Sequence, residues 1–210
     1  MFAIIGVNTI STISLNIIKD RFFNESVFFV DDDPQKYKKK HNEVDVLFNN
    51  KTFKDLIRSG KQINISISYG EKLLLEKSHL YHELSSFENI NFPALLHKTA
   101  IVSELAIIQE GNIISFGVIV GHNTILKPNS VFWSGAVVEH DSVIGECCYI
   151  APNVTISGFV KIGNCTLIGS GATILPGIEI GKNCVIGAGS VITKNVPNNS
   201  TVFGVPGKIK

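Results

Sequence analysis

Four things are scarce or missing in this 210-residue chain, and each absence removes a class of reading. Charge of one sign is missing: 19 Lys and Arg stand against 18 Asp and Glu, for a net charge of +1. So balanced a surface offers no basic footprint for nucleic acid or an anionic membrane, and neither partner is expected. The Lys38–Lys40 run lies close to Asp31–Asp33 and reads as a solvated loop. Long apolar runs are missing too; none suffices to span a bilayer. No basic region precedes an apolar run at the N-terminus, so no signal peptide and a cytoplasmic location are expected. Cysteine is sparse, at four residues, and no pair has zinc-type spacing. Cys147 and Cys165 lie eighteen positions apart, but a disulfide between them is not expected in a cytoplasmic chain. Finally, no G-x-G-x-x-G fingerprint follows the first apolar run, which argues against a dinucleotide coenzyme.

What the chain has instead is a period. From Val102 to Ile192 an aliphatic or aromatic residue recurs at every sixth position, sixteen times in succession, in a chain that is 44% apolar. A period of six fits neither an α-helix (3.6) nor an alternating strand (2); it marks a hexapeptide solenoid, a parallel β-helix. With the large apolar residue as position zero, position four is small or β-branched (Thr124, Ser130, Ala136, Ser142, Val154, Thr166, Ala172, Ser190). Positions zero and four are two apart and point inward together. Position three is Gly, Asn or Asp with three exceptions, Cys147, Phe159 and Cys165. Those residue types tolerate positive φ, so each hexad is a short strand followed by a corner. Three sides close a coil of eighteen residues, and the segment from Val102 makes five coils. Cys148 and Cys184 fall at position four and are expected to be core thiols.

Before residue 93 the pattern differs. Phe2–Val7, Ser26–Val30 and Gln62–Ser68 read as buried strands. Ser11–Phe22, Thr52–Arg58 and Glu71–His79 read as helices. Alternating strand and helix predicts a small parallel sheet, a Rossmann-like unit whose ligands bind beyond the strands' carboxyl ends. Those ends carry Gly6-Val7-Asn8, Asp31-Asp32 and Ser68-Tyr69-Gly70. For the acidic cluster two readings stand side by side: a ligand contact, or a turn before Pro34. The expected boundaries are 1–92 for this domain and 93–210 for the helix.

Residues eighteen apart share a corner. One column at position two reads Glu104, His122, His140, Gly158, Pro176, Lys194. Two histidines stack there, and a glycine follows one coil on. His140 is flanked by Glu139 and Asp141, and a carboxylate beside a histidine orients the ring for general-base work. Gly158 leaves approach open, and its N–H suits the oxyanion of a tetrahedral acyl intermediate. The bland alternatives remain: Asp141 sits where φ alone can select it, and His122 can be a plain surface residue.

Five segments carry a resemblance. They are Phe28-Phe29-Val30-Asp31-Asp32; Val138-Glu139-His140-Asp141 with Ile144-Gly145; Ala151-Pro152-Asn153 through Ser157-Gly158; Ile186-Gly187-Ala188-Gly189-Ser190-Val191; and Gly204-Val205-Pro206-Gly207-Lys208. With them nearly the whole chain resembles bacterial hexapeptide-repeat sugar acetyltransferases of the sialic-acid O-acetyltransferase and bacillosamine-pathway type. The resemblance implies an α/β Rossmann-like domain followed by an all-β left-handed parallel β-helix. It implies acetyl-CoA as co-substrate, a nucleotide-linked amino sugar as acceptor, and a homotrimer with CoA between neighbouring helices. Carried over, it makes His140 the base, Asp141 (with Glu139 beside it) its orienting acid, and Gly158 the oxyanion-side glycine. Ser170 and Ala188, with Gly158, are implied as CoA contacts; Asn8, Asp31, Asp32 and His122 as substrate contacts. The chain departs from the family in Val7–Ser11, which lacks a histidine, and in Trp133, where relatives have a small polar residue.

The expected activity is N-acetylation of a nucleotide-linked 4-amino-4,6-dideoxy-sugar for surface glycan synthesis. The alternative is O-acetylation of a sialic-acid-type sugar. Two further readings are kept: a non-enzymatic scaffold, and a metal hydrolase on the same helix. The last needs three converging histidines, the column supplies two, and no metal is expected.

Overall fold

The computed structural model describes residues 1–210, Asn50 without its side chain. The chain divides into two compact units, Met1–Leu95 and Leu96–Lys210.

In the first unit the apolar runs form β1 (Phe2–Ile5), β2 (Val27–Val30) and β5 (Ile63–Ile67), with β4 (Val44–Phe48) and β6 (Ile90–Asn91) beside them. These five strands run parallel in the order β4-β2-β1-β5-β6; β3 (Lys40–His41) closes one edge as an antiparallel partner of β4. The helices are α1 (Thr9–Arg21), α2 (Asn50–Arg58) and α3 (Leu74–Leu84). Three expectations need correction. Lys40 is not in a loop but begins β3. The strand β4 escaped the sequence reading, although Val44, Val46 and Phe48 alternate with exposed Asp45 and Leu47. The third helix starts at Leu74 rather than Glu71 and runs five residues past His79. α1 starts two residues earlier than expected because Asn8 caps it. Asn8 Oδ1 accepts from the N–H groups of Ile10 (2.8 Å) and Ser11 (3.2 Å), and Ser11 Oγ accepts from Asn8 N–H (2.9 Å). This is a reciprocal capping box.

The second unit is a three-sided parallel β-helix. Two-residue strands stack eighteen apart on each side, as in Ile119↔Val137 and Val120↔Val138. Position-zero residues such as Val120, Phe132, Val138 and Ile150 are fully buried and fill the prism. Polar residues at position four serve the backbone. Thr124 Oγ1 donates to Glu139 O (2.9 Å), Ser142 Oγ to Ser157 O (3.0 Å) and Thr166 Oγ1 to Gly181 O (2.8 Å). Cys148 and Cys184 are buried and free, as expected, and burial pushes the Cys148 thiol up to about 12. Cys147 and Cys165 are also free thiols.

Every position-three residue from Gly111 to Gly189 has positive φ. The non-glycines, Cys147, Phe159 and Cys165 included, lie between 54° and 62°. Two boundaries differ from the periodic reading. The helix starts a hexad earlier, since Leu95–Leu96 is already a strand of the eight-stranded side and His97 N–H donates to Ile114 O (2.9 Å). Its last coil is short: Val196 pairs with Ile180 and Val202 with Ile186, both sixteen apart. Lys194 and Asn195 therefore leave the phase, and Asn195 lacks the left-handed φ.

Candidate active site

The predicted column forms at His122, His140 and Gly158, and Lys194 drops out of it. His122 and His140 stack with ring centroids 5.2 Å apart and planes 10° from parallel, one coil between them. Gly158 is buried one coil further on. A Cβ placed on Gly158 would sit 2.6 Å from His140 Cε1 and 2.8 Å from Nε2. The imidazole thus lies directly over the bare backbone, and only glycine leaves it room. Phe159 meets the ring edge-on at 5.1 Å and 88°.

Nδ1 of His140 is 2.9 Å from Asp141 Oδ2. An ionised carboxylate only accepts, so the pair assigns the proton to Nδ1 and leaves the Nε2 lone pair free. Asp141 Oδ1 accepts from Asn123 Nδ2 at 3.1 Å. These two hydrogen bonds, the one from His140 first, hold the Asp141 carboxyl below its ordinary value. Glu139 is not brought to the ring. It occupies position one, its side chain is exposed, and among the described residues its carboxylate has no partner. One flanking acid orients the histidine, and it is Asp141.

The helix ladder uses the N–H groups on either side of Gly158: Ser157 N–H donates to Ile174 O (3.1 Å) and Phe159 N–H to His140 O (3.0 Å). The N–H of Gly158 stays outside that ladder, as the other position-two N–H groups of the helix do. An acyl oxygen approaching this corner would meet an uncommitted donor next to an uncommitted base.

The ligating atoms of His122, His140 and Asp141 lie within 4.8 Å of one another. They do not converge. The rings are parallel and a coil apart, so their in-plane lone pairs run side by side, and both Asp141 oxygens are engaged. The arrangement suits proton transfer rather than a tetrahedral metal centre.

Ser170 and Ala188 stack eighteen apart and are exposed, but on a different corner column from His140. They and His140 border the same side of the prism from its opposite edges, and no contact joins them to the imidazole.

In the first unit a cavity of about 270 Å³ opens at the carboxyl ends of β1, β2 and β5, lined by residues including Gly6, Asn8, Asp31, Asp32, Lys36 and Tyr69. Gly6 has φ +91°, and a Cβ there would press on the Tyr69 ring at 3.2 Å. Two of the expected contacts are already engaged. Asn8 Oδ1 caps α1, and Asn8 Nδ2 donates to Ser68 O. Asp31 Oδ2 accepts from Val7 N–H (2.7 Å) and Lys36 Nζ (3.3 Å), and Asp31 Oδ1 from Asp33 N–H (2.9 Å). Asp31 therefore pins two loops around the cavity, while Asp32 is exposed beside it. Lys36 was not foreseen; its signal was a cation five residues beyond the strand-end carboxylate. Nor were Asn123 and Phe159, whose position-three placement reads first as backbone geometry.

Residues 123–158 and 159–194 match the family described as bacterial transferase hexapeptide (six repeats). A search of curated proteins finds no match. Among solved structures the chain is similar to PerB from Caulobacter crescentus in complex with CoA and GDP-perosamine. The two are 26% identical, covering 100% of this chain and 96% of that one, with a TM-score of 0.89. A mutant GDP-perosamine N-acetyltransferase from the same bacterium, also with CoA and GDP-perosamine, matches at 25% identity over 100% and 96%, with a TM-score of 0.90. The acetyltransferase domain of PglB from Neisseria gonorrhoeae, in complex with acetyl coenzyme A, is 25% identical over 100% and 98%, with a TM-score of 0.90.

Proposed function

We propose, from the premise that the chain is a hexapeptide-repeat acyltransferase of the sugar-acetyltransferase type, that it moves acetyl from acetyl-CoA to the amino group of a nucleotide-linked 4-amino-4,6-dideoxy-sugar. One observation carries the reading: an imidazole with Nδ1 tied to a carboxylate and Nε2 free, lying over a glycine whose N–H is outside the ladder. The similarity of the whole chain to structures holding CoA and GDP-perosamine supports this substrate pair.

The chemistry follows from the geometry. The acceptor amine attacks the thioester carbonyl carbon, and a C–N bond forms. Negative charge moves to the carbonyl oxygen, where the Gly158 N–H can meet it. His140 Nε2 takes a proton from the attacking nitrogen. The C–S bond then breaks, and the imidazolium returns its proton to the leaving thiolate. Asp141 holds the ring in the tautomer that this requires. The cavity of the first unit takes the nucleotide, with Asp32 and Lys36 as the polar groups facing it.

Ser170 and Ala188 are CoA contacts in this reading, and they stand on another corner from His140. A neighbouring protomer then supplies one of the two walls, as in a homotrimer. Among the described residues no helix is long and apolar enough to cross a membrane, and the reaction is assigned to the cytoplasm, where acetyl-CoA is made.

The test is thiol release from acetyl-CoA against a panel of dTDP-, UDP- and GDP-linked 4-amino-4,6-dideoxy-sugars, with free sialic acid as the O-acetylation arm. One amino sugar should turn over, and His140→Ala should lower its kcat by roughly 10²-fold or more. Turnover of sialic acid alone, or near-wild-type turnover by His140→Ala, would overturn the assignment.

A further inference from the structure

We propose that Asn123 is a positioning residue for the transfer, clamping Asp141 by the oxygen that His140 does not use. The inference rests on His140 being the base.

Position-three amides commonly reach to position three of the next coil. Asn129 Nδ2 donates to Cys147 Sγ (3.4 Å), and Asn183 Nδ2 donates to Asn199 Oδ1 (3.1 Å) in the shortened last coil. Asn123 makes the same reach, 3.1 Å to Asp141 Oδ1, but here the acceptor is the carboxylate that orients the imidazole. A generic fastening of the corner has become the third member of a line, amide to carboxylate to ring. Asp141 is partly exposed, with 31% of its side chain open to solvent. Without the amide its carboxylate is free to turn outward and release Nδ1. Asn123 and Asp141 have nearly the same left-handed φ, 54° and 55°, so the two side chains leave stacked corners in parallel. The lowered Asp141 carboxyl, to which Asn123 contributes second after His140, accords with this clamp. The titratable groups facing Asp141 are His140, bonded to it, and His122 a coil away.

Two substitutions separate positioning from a purely structural role. Asn123→Gly keeps the backbone conformation and deletes the amide. Asn123→Asp keeps shape and left-handed tolerance but sets a carboxylate against a carboxylate. Asn183→Gly removes an equivalent rung on another corner and is the control. With acetyl-CoA and a nucleotide-linked 4-amino-4,6-dideoxy-sugar, Asn123→Gly should lower kcat roughly tenfold with both KM values unchanged. Asn183→Gly should leave kcat alone. In Asn123→Asp the like charges raise the pKa of one member of the pair. A shared proton preserves the clamp at low pH, and repulsion breaks it at high pH. Its activity relative to wild type should therefore fall as pH rises through and above the ordinary carboxylate range.

Equal kcat for Asn123→Gly and Asn183→Gly, or an Asn123→Asp profile parallel to wild type, would overturn the proposal. His140→Ala run alongside keeps the two readings apart. If it is inactive while both Asn123 variants behave as wild type, the base stands and the clamp falls. If it retains turnover, the base assignment itself falls.

Discussion

Gly158→Ala adds one methyl group at the candidate site, and that methyl has one neighbour to displace. The new Cβ would lie 2.6 Å from His140 Cε1, 2.8 Å from Nε2 and 3.1 Å from Nδ1, with the imidazole supplying all three of its nearest atoms. Ordinary contact begins near 3.4 Å, so the ring has to retreat by about 0.8 Å. The backbone tolerates alanine, because Gly158 is not among the positive-φ glycines. Gly→Ala at such a position favours folding by about 0.4–1 kcal/mol through the unfolded chain. His140 is partly exposed and free to swing outward, so the fold should survive while the alignment does not. A misplacement near 1 Å costs about 10²-fold in rate. That corresponds to about 2.7 kcal/mol of transition-state stabilisation.

The assay is thiol release with the accepted amino sugar, beside a thermal melt and calorimetric titration with CoA. The expected result is a kcat/KM near 1% of wild type, with melting little changed and CoA binding retained. A double-mutant cycle sharpens the argument. With the ring already removed in His140→Ala, adding the methyl should cost nothing further. Equal losses from Gly158→Ala in the presence and absence of the imidazole would refute the steric account. So would a Gly158→Ala enzyme with unimpaired turnover.

Other substitutions test neighbouring links. Phe159 is exposed yet held at φ +61°, a conformation that costs an L-residue about 1–2 kcal/mol. Phe159→Gly should melt at or above the wild-type temperature while kcat drops several-fold, since the ring loses its edge-on wall; marked destabilisation in urea titration would contradict this. Ser130 Oγ both donates to Gly145 O (2.9 Å) and accepts from the buried Cys148 N–H (2.9 Å). Ser130→Ala orphans that donor and should cost about 1–3 kcal/mol in chemical denaturation. Its kinetic constants should match wild type at temperatures where it stays folded.

The second unit was legible because a solenoid writes its cross-section into a period. Counting by eighteen from His140 reached His122 and Gly158, and the fold stacks them. Counting failed where the coil changed length: Lys194 and Asn195 fall out of column in a sixteen-residue turn that no residue type announces. Choosing between Glu139 and Asp141 required the corner's geometry. Position one sends its side chain outward, whereas position three, in left-handed backbone, turns it back along the corner to the ring. Asp141, readable as a φ-selected residue, does both jobs at once. In the first unit apolar runs revealed three strands. β4 was hidden because it is half-buried and follows a lysine run. Asp31 and Asn8 line the cavity, yet the structure employs their polar atoms in holding its walls. Two of these commitments, Val7 N–H to Asp31 and Asn8 Nδ2 to Ser68 O, bridge 24 and 60 residues and leave no local trace.

Because coil follows coil without insertion, axial distance in the second unit is a matter of arithmetic. Eighteen residues advance the chain by one strand spacing, roughly 4.8 Å, and return it to the same edge. Losing one, two or three residues between His122 and Gly158 would put everything downstream out of register with the corners and dismantle the stack. Removing or duplicating a whole turn beyond Gly158 would instead shorten or lengthen the prism by one layer and leave the histidine edge untouched. A protein built this way can change its length by gene duplication while the histidine stack keeps its place.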